Sequence, residues 1–533
     1  MAAGLTLTAI SVPLNIGYAQ IAGLPPEAGL QALVVPTLLY ALLASSRQVV
    51  ASPDAAAAAL VFSSIVGLGI GGEDFAAVAA AQAMLCGAIL LAAGFLRWGF
   101  LANFLSHPVL TGFVAGLALE VLLSQAVKML GLRLDSDGGF FPEALELIAS
   151  IGQAHPLSVI VAGASLTVLL FGRRMAPAVP WALIVLVLST LAVALGGLEA
   201  KGVAVLGSVE VGLSMPQWPH LSLGTWLALI PSALALAMVA MAEGVVVSTS
   251  YAQRHGYTTD PNRDLVALGA GNAAAGLVGS FAMGPSTSRT AAMDQAGSRT
   301  QIPSLVTVAV TSALLLFGTG LLTSIPSPAI GAVVAVAVIK LLDVAEFRWL
   351  ARHARAEFLI ACVCLLGVLV AGPLQGLGVA FLCCLVDLMR RSARPEVEML
   401  AATGEGTALL STAAAGTLTA PGVAVVRFAA PVYFANAAVL ENGLSEVRRR
   451  DPAPAWVVLD MEAVTDVDST GGAALARAEA GLAAAGQGLA FSRVRPELAA
   501  ALERLGVGRD VRRFASNRDA VEQLRTDRGR LRP

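Results

Sequence analysis

Charged side chains are scarce in this chain, because Lys, Arg, Asp and Glu together make up only 13% of its 533 residues. A soluble protein carries about 25% charged residues, so a soluble globular fold is excluded for most of the chain. Hydrophobic residues reach 56%, and the mean hydropathy is +0.76. The charges are concentrated after Met389. The composition therefore indicates a membrane protein with a more polar C-terminal part, and the lipid bilayer as its main partner.

Cysteine and histidine are also sparse, with five residues of each. The cysteines all lie in apolar runs and lack the Cys-x-x-Cys spacing of metal sites, so we expect neither disulfides nor a metal site. No histidine stands beside a Ser or Cys in a recognisable nucleophile setting. We therefore expect no enzyme and no cofactor, and the net charge of −2 gives no reason to expect a nucleic acid partner.

Polar residues interrupt two long apolar runs at residues 284–297 (Gly-Pro-Ser-Thr-Ser-Arg-Thr-Ala-Ala-Met-Asp-Gln-Ala-Gly). Gly284 and Pro285 end any incoming helix, and the following Ser and Thr residues are good N-caps for a new one. A helix that begins inside a bilayer directs free N–H groups and a positive dipole end into the membrane, which suits a cavity that holds an anion. Arg289 adds a positive charge there. A polar loop outside the membrane is the weaker alternative.

A matching break occurs near the N-terminus, where Ala51-Ser-Pro-Asp54 opens a short apolar helix that ends at Ile65. The preceding segment, 3–22, contains Pro13 and the polar residues Asn15, Tyr18 and Gln20, which are costly in lipid unless they face a cavity. Two interrupted segments at corresponding positions of two halves point to a transporter site built from inverted repeats.

Twelve further apolar segments join the two half-helices, which gives fourteen segments, or seven plus seven; most are near the ~20 residues that cross a bilayer. Arginines follow each even-numbered segment, which predicts that this side is the cytoplasm and that both termini lie there. The apolar segments are 3–22, 28–44, 75–94, 108–128, 157–172, 180–196, 224–250, 264–281, 302–322, 325–342, 357–371 and 374–390.

The pattern changes after Arg394, which predicts a membrane domain at 1–394 and a cytoplasmic domain at 395–533. Residues 422–429 and 455–460 have the β-branched runs of strands. The pattern of 436–450, 473–485 and 496–505 is helical, with a lead-in strand and a loop expected within 395–421. Alternating strands and helices predict a small α/β domain.

Three stretches together resemble the SulP anion transporters, solute carrier family 26. Residues 12–30 (Val-Pro-Leu-Asn-Ile-Gly-Tyr-Ala-Gln-Ile-Ala-Gly-Leu-Pro-Pro-Glu-Ala-Gly-Leu) resemble the family's opening signature, and Ser288-Arg289-Thr290 resembles its tenth-segment signature. Residues 432–436 and 460–471 resemble a STAS domain. The resemblance implies an α-helical membrane protein of fourteen segments in 7+7 inverted repeats, with two half-helices that meet at the midplane. It further implies a mobile core and a gate, a cytoplasmic α/β STAS domain, a homodimer and, for this member, the bacterial inner membrane.

The resemblance also implies an anion site between the third and tenth segments. Arg289 would supply positive potential and Tyr18 would line the wall, beside Asn15 and Gln20. Backbone N–H groups near Ser52, Pro53, Asp54 and Ala55, and near Ser286, Thr287 and Ser288, would donate to the anion. The sequence departs from the family pattern at Leu14 and Asp54, and the carboxylate of Asp54 argues against simple halide binding.

Two further positions have open interpretations. Glu243, in an otherwise apolar eighth segment, would either bind a proton (or sodium) that is coupled to transport or pair statically with Arg289; Asp54 is a second candidate for coupling. Glu120 is expected to be structural.

In the STAS-like domain, Ser469 and Thr470 resemble the phosphorylated site of anti-sigma-factor antagonists. Asp468-Ser-Thr is also a good helix cap, and this is the favoured interpretation.

These features predict a secondary active transporter of a small anion that works by alternating access, with a proton as coupling ion. A dicarboxylate or a sulfate-like oxyanion is preferred, because two helix N-termini and Arg289 suit a divalent anion; bicarbonate and halides remain open. The rivals are a nucleobase permease of the same architecture, which Arg289 disfavours, an anion channel, and a membrane-anchored STAS signalling protein.

Overall fold

The computed structural model describes residues 2–69, 74–99, 107–134, 139–176, 179–403, 408–412 and 418–527. The chain divides into two compact units, Met1–Cys384 and Leu385–Pro533. This division falls inside one helix, Pro373–Ala393, N-terminal to the domain boundary expected after Arg394. The boundary at 394 stays a prediction, and the two units are described separately.

The first unit is helical, and each of the fourteen predicted segments coincides with a helix or with a pair of consecutive helical pieces. The first seven segments and their connections comprise α1 (Ala2–Ile21), α2 (Pro26–Gln31), α3 (Val35–Leu43), α4 (Ala55–Gly67), α5 (Asp74–Phe95), α6 (His107–Leu130), α7 (Phe140–Ser150), α8 (Pro156–Met175) and α9 (Trp181–Gly196). The other seven comprise α10 (Leu223–Ala228), α11 (Ile230–His255), α12 (Pro261–Leu277), α13 (Thr287–Gln295), α14 (Ile302–Phe317), α15 (Ser327–Val338), α16 (Val344–His353), α17 (Arg355–Ala371) and α18 (Pro373–Ala393).

Six stretches of the described residues are long and apolar enough to cross a membrane, and the bent pair around α7 and α8 raises the number to seven. The half-helices α4 and α13 have 13 and 9 residues, fewer than the ~20 that cross a bilayer. Large apolar side chains cover the outside of the unit, such as Phe317, Leu195 and Met175, which are 88%, 86% and 85% exposed. Such a surface fits hydrocarbon rather than water.

Helices α5 and α12 pack at very short range because glycines lie where they cross. A methyl group on Gly269 of α12 would lie 2.7 Å from the backbone nitrogen of Leu91 and 2.9 Å from the carbonyl of Gly87, both on α5. Small residues allow helix backbones to approach closely in membrane proteins. These glycines therefore fix the spacing between α5 and α12.

The second unit is an α/β domain, as predicted. Its elements are β3 (Val397–Thr403), β4 (Ala408–Thr412), β5 (Val423–Phe428), α19 (Ala437–Arg448), β6 (Trp456–Asp460), α20 (Ser469–Ala484), β7 (Gly488–Ser492), α21 (Pro496–Arg504), β8 (Arg512–Phe514) and α22 (Asn517–Thr526). The sheet order is β4-β3-β5-β6-β7-β8. Strands β5 to β8 are parallel, whereas β3 and β4 are antiparallel to their neighbours.

Apolar cores lie on both faces of this sheet. Helices α19, α20 and α21 cover one face through residues such as Leu440, Leu475 and Leu502, and α22 covers the other through Ala520 and Leu524. The strands β4, β7 and β8 and the helix α22 were not predicted. Helix α20 begins at Ser469, before the helical pattern of 473–485 but directly after the predicted cap, Asp468.

Candidate functional site

The two half-helices begin beside each other because a short sheet joins the strands that precede them. Strand β1 (Ala51–Ser52) leads into α4, and β2 (Gly284–Pro285) leads into α13. The strands pair antiparallel, with Ala51 opposite Pro285 and Ser52 opposite Gly284. The N-terminal N–H groups of a helix have no partners within it, so two sets of free donors and two positive dipole ends meet at one place.

Each half-helix has a side-chain cap. The carboxylate of Asp54 accepts a hydrogen bond from the backbone nitrogen of Ala57 at 2.7 Å, and the hydroxyl of Ser286 accepts one from the backbone nitrogen of Arg289 at 3.4 Å. The backbone nitrogen of Ser286 also donates to the carbonyl of Val50 at 2.8 Å. The two caps fix where α4 and α13 begin, and the bond from Ser286 to Val50 holds the two N-termini side by side.

A buried carboxylate that the sequence did not single out stabilises the segment that leads into β1. Asp264 on α12 accepts hydrogen bonds from the backbone nitrogens of Ser45 and Ser46, at 2.6 and 3.1 Å, and from the hydroxyl of Ser248 at 2.6 Å. It holds the loop that leads into β1. The backbone nitrogen of Val50, at the end of this loop, donates to the hydroxyl of Thr290 on α13 at 3.0 Å. No local sequence signal separates Asp264 from an ordinary first-turn acid.

Arg289 lies where the two helix starts meet, and only 1% of its surface is exposed. Its Nη2 atom donates to the carbonyl oxygens of Pro53 and Ser52, and its Cζ atom lies 5.9 Å from the centre of the Tyr18 ring. Its Nε and Nη1 atoms have no partner, and neither has the buried hydroxyl of Ser52. Within the described part of the chain, no carboxylate forms an ion pair with Arg289.

The second feature of the site is a pair of carboxyl groups that share one cavity. The cavity measures about 10 Å³, room for about one water molecule, and its lining includes Asp54, Glu243, Phe113, Cys86, Met283 and Gly284. A methyl group on Gly284 would lie 3.2 Å from Oδ2 of Asp54, so this glycine leaves space for the carboxylate. Glu243 has neither a hydrogen bond nor an ion pair to any residue that the structure describes. The static pairing with Arg289, one of the two interpretations of Glu243, is therefore absent from this structure.

A family model described as the sulfate permease family matches residues 1–364, and a STAS domain model matches residues 416–520. The chain belongs to the sulfate permease family. A probable sulfate transporter of Mycobacterium tuberculosis (strain CDC 1551 / Oshkosh) is 36% identical to it over 500 residues, 93% of this chain and 89% of that protein. The probable sulfate transporter 3.3 of Arabidopsis thaliana is 28% identical and spans 88% of this chain and 78% of that protein.

Two solved structures show the same fold. SLC26A9 superposes with a TM-score of 0.89 at 22% identity, over 99% of this chain and 90% of that one. The transmembrane domain of a cyanobacterium bicarbonate transporter, BicA, gives a TM-score of 0.61 at 20% identity, over 72% of this chain and 96% of that one. The predicted fold, an inverted-repeat helical membrane domain with a C-terminal STAS domain, is confirmed.

Membership in the sulfate permease family decides the broad class of activity. A permease carries its solute across the membrane unchanged, so the prediction that the chain is not an enzyme is confirmed. The prediction that the chain is an anion transporter of a membrane is confirmed as well. The substrate, the coupling ion, the homodimer, the inner membrane and the cytoplasmic termini stay predictions.

Not every residue predicted for the permease site lies with Arg289. Gln20 accepts a hydrogen bond from Lys128 at 3.4 Å instead, because two residues turn an α-helix by about 200° and so place Gln20 opposite Tyr18. The side chains of Thr287 and Ser288 are exposed, so only their backbone N–H groups remain as donors. Asn15 is fully buried, its Nδ2 donates to the carbonyl of Ser11, and its Oδ1 has no partner. Ala55 is the buried first residue of α4.

In the STAS domain, the start of α20 is capped by Asp468, whose Oδ1 accepts a hydrogen bond from the backbone nitrogen of Gly471 at 2.6 Å. Oδ2 of the same carboxylate accepts one from the backbone nitrogen of Phe434 at 2.9 Å. The next two residues, Ser469 and Thr470, are exposed. The cap is thus an aspartate, and phosphorylation of either hydroxyl stays a prediction.

Proposed function

We propose that this chain is a secondary carrier of small divalent oxyanions, with sulfate as its type substrate, and that protons move with the anion. One observation carries the proposal: Arg289 is buried, and two of its nitrogen atoms have no partner. A buried cation with unused donors is costly unless a counter-ion reaches it. The two helix starts beside it favour an anion.

The geometry favours a compact dianion over an extended one. A tetrahedral oxyanion can accept hydrogen bonds from Arg289 and from both helix starts at once, because its oxygen atoms surround a single centre. A dicarboxylate places its charges further apart, so only one end would contact this group. The relatives named as probable sulfate transporters support the same choice. Dicarboxylate and bicarbonate therefore rank second and third.

Charge balance supports proton coupling. When Asp54 is ionised, its negative charge offsets the positive potential of Arg289 without an ion pair between them, and a dianion would also meet the second carboxyl group of the cavity, Glu243. Protonation of both carboxyls leaves Arg289 and the two helix dipoles to attract the anion. Each transported oxyanion would therefore bring one or two protons with it.

The small cavity supports alternating access. About 10 Å³ holds about one water molecule, so an oxyanion can enter or leave only when the surrounding helices move. A carrier has this property, whereas an open channel keeps a continuous path. We place the carrier in the bacterial inner membrane with both termini in the cytoplasm, as the arginine distribution predicts, and we expect a homodimer.

The experiment is uptake of a radiolabelled panel into proteoliposomes, with and without an inward proton gradient. The panel contains sulfate, succinate, bicarbonate, chloride and uracil, and protein-free liposomes serve as the control. We expect sulfate to accumulate and the proton gradient to accelerate its uptake. Uptake of uracil alone would favour the nucleobase carrier, a conductance far above carrier turnover would favour a channel, and no uptake at all would favour a signalling protein.

A further inference from the structure

A half-buried lysine in the membrane unit has no counter-ion. Lys128 lies near the C-terminal end of α6, and its single polar contact is the 3.4 Å hydrogen bond to Oε1 of Gln20 on α1. Within the described residues, no carboxylate pairs with it. An ammonium group has three donors, and the hydrogen bond to Gln20 uses only one of them. This position is therefore suited to bind an anion.

Lys128 shares a helix face with a wall of the central cavity. Phe113 of α6 lines the cavity that contains Asp54 and Glu243. The 15 residues from Phe113 to Lys128 make about 4.2 turns, so the two side chains lie within about 60° of each other around the helix and about 22 Å apart along its axis.

Gln20, the hydrogen-bond partner of Lys128, lies on the same helix as Tyr18 of the anion site. It lies two residues after Tyr18 on α1, and the ring of Tyr18 contacts Arg289. The ammonium group thus lies beside the helix that forms the wall of the anion site, toward the membrane side at which α6 ends. By the arginine distribution, this is the side opposite the cytoplasm.

The acid nearest to Lys128 along α6 does not neutralise it. Glu120 precedes Lys128 by eight residues, about 12 Å along the helix axis, and the two side chains form no ion pair. Ser124, one turn before the lysine, adds a hydroxyl to the same face and donates to the carbonyl of Val121 at 3.1 Å. The positive charge of Lys128 is therefore left for the solution or for a solute.

We propose that Lys128 is an outer station for the transported oxyanion, a second anion site that rests on the function proposed above. The ammonium group attracts the anion from the external solution and exchanges its contact with Gln20 for one with the anion. The anion then passes along the shared face of α6 to Arg289. A positive charge that faces the solution raises the local anion concentration and the rate of association.

The test compares three variants in proteoliposomes of uniform orientation. Lys128→Gln removes the charge but keeps a group that can bond to Gln20, and Lys128→Arg keeps the charge. Lys201→Gln is the matched control: Lys201 is exposed and donates to the carbonyl of Gly196. It also lies near the same end of α6, because His155 contacts the carbonyls of both Lys201 and Leu130.

We measure the sulfate concentration that gives half-maximal influx from the side at which α6 ends, at low and at high ionic strength. Lys128→Gln should raise this concentration about tenfold at low ionic strength and much less at high ionic strength, because salt screens the attraction. Lys128→Arg and Lys201→Gln should stay near the wild-type value. Efflux from the opposite side should keep its wild-type concentration dependence in all three variants.

Two outcomes would overturn the outer station: a wild-type concentration dependence in Lys128→Gln at low ionic strength, or an equal loss in Lys128→Gln and Lys128→Arg. The second result would assign the lysine to packing, and thermal melting of both variants would then show a matching loss of stability. Wild-type vesicles that take up no oxyanion would refute the proposed function itself, and this inference with it. Normal wild-type uptake combined with an unaltered Lys128→Gln refutes the outer station alone.

Discussion

Arg289 is the largest side chain among the described residues with less than 2% exposure. Its guanidinium satisfies two backbone carbonyls of the segment before α4 and leaves Nε and Nη1 free. The side chain therefore does two things: it holds the start of α4 through Ser52 and Pro53, and it offers unused donors to a ligand. These two roles make separate predictions for stability and for binding.

Arg289→Ala should weaken sulfate binding by about 10- to 100-fold, because a charged hydrogen-bond donor contributes about 1.5–3 kcal/mol. The variant should still fold, with a modestly lower melting temperature, since two buried carbonyls lose their donor. Calorimetric titration of the purified protein measures the affinity, and Arg289→Lys, which keeps the charge, is the control. Near-normal affinity in Arg289→Ala would remove the arginine from the site.

Asp54→Asn and Glu243→Gln test the coupling assignment. If either carboxyl carries the proton, its neutral amide should reduce the acceleration of sulfate uptake by a proton gradient, because the amide cannot change its charge. Uptake is compared at equal sulfate concentration with and without the gradient. Glu143→Gln on α7, outside the cavity, should keep the full response. If both Asp54→Asn and Glu243→Gln keep the full acceleration by the proton gradient, neither carboxyl group carries the coupled proton.

The sequence identifies the residues whose chemistry is unusual for a membrane, but not those whose role depends on distant contacts. Arg289, Asp54 and Tyr18 stand out as polar groups in apolar runs, and the structure places Arg289 beside the ring of Tyr18 and against the carbonyl that precedes Asp54. Gln20 stands out in the same way yet points elsewhere, because polarity alone does not give the angle around a helix. Asp264 was missed because the backbone nitrogens that donate to it, those of Ser45 and Ser46, lie about 220 residues away in the chain.

At the scale of elements, the contact between α5 and α12 makes a direct prediction. Gly269→Ala should destabilise the membrane unit, because the new methyl group would lie 2.7 Å from the backbone nitrogen of Leu91, and a backbone atom cannot move aside cheaply. The melting temperature in detergent is the measurement. Gly163→Ala on α8 is the matched control, since nothing lies within 4 Å of its added methyl group. Equal melting temperatures for the two variants would mean that α5 and α12 are not closely packed.

The C-terminal ends of strands β5, β6 and β7 carry a buried ion cluster. Asp460, whose side chain is 0% exposed, accepts hydrogen bonds from Arg427 at 3.2 Å, from Asn517 at 3.2 Å and from Nε of Arg493 at 3.0 Å. Burial alone would raise the pKa of Asp460, but the hydrogen bonds from Arg493 and Asn517 hold it below its usual value. The carboxylate therefore stabilises the folded domain in its ionised form.

Asp460→Asn should destabilise the STAS domain by about 3 kcal/mol, because two arginines lose their shared partner. Since the folded pKa is depressed, this stabilisation is present above the unfolded value, about 3.9, and is lost as pH falls through the folded pKa. Urea unfolding of separately expressed residues 395–533 measures it at pH 7 and below pH 4. Glu441→Gln, which removes an exposed ion pair with Arg477, should cost less than about 1 kcal/mol. Similar costs for both substitutions would refute the special role of Asp460.

The length and the apolar periodicity of the sequence predicted the long helices. The elements that were missed are too short to show such a pattern. Helices α7 and α16 have 11 and 10 residues, about half the length that crosses a bilayer, so neither appears as a membrane segment in the sequence. Strands β1 and β2 have two residues each and exist only because they pair with each other. Strand β8 has three residues and contains no β-branched residue, so it lacks the run that typically marks a strand.

At the scale of the whole molecule, the anion site and the STAS domain belong to different units. Arg289 bonds to Ser52 and Pro53, and the residues that line the cavity of Asp54 and Glu243 all lie between 54 and 284, whereas the apolar cores of the second unit begin after residue 396. A chain that ends at Arg394 should therefore fold in the membrane and bind sulfate within about twofold of the full-length affinity.

The initial uptake rate of this truncated chain should fall, because the resemblance to the SulP family implies that the STAS domain braces a dimer or limits movement of the core. Affinity and uptake rate are compared between the truncated and full-length proteins in the same lipid. A well-folded truncated protein that has lost its affinity would mean that the C-terminal domain shapes the site.

The pairing of β1 with β2 has a consequence for how the protein is made. Val50, directly before β1, bonds to Thr290, which follows it by 240 positions. At about 5–20 residues per second, the ribosome needs between about 12 and 48 s to make the second partner. During that interval α4 has only its own cap, the contact between Asp54 and Ala57, to satisfy its first turn. A nascent chain arrested before Gly284 contains the first half-helix but no anion site, so the site is completed late in synthesis.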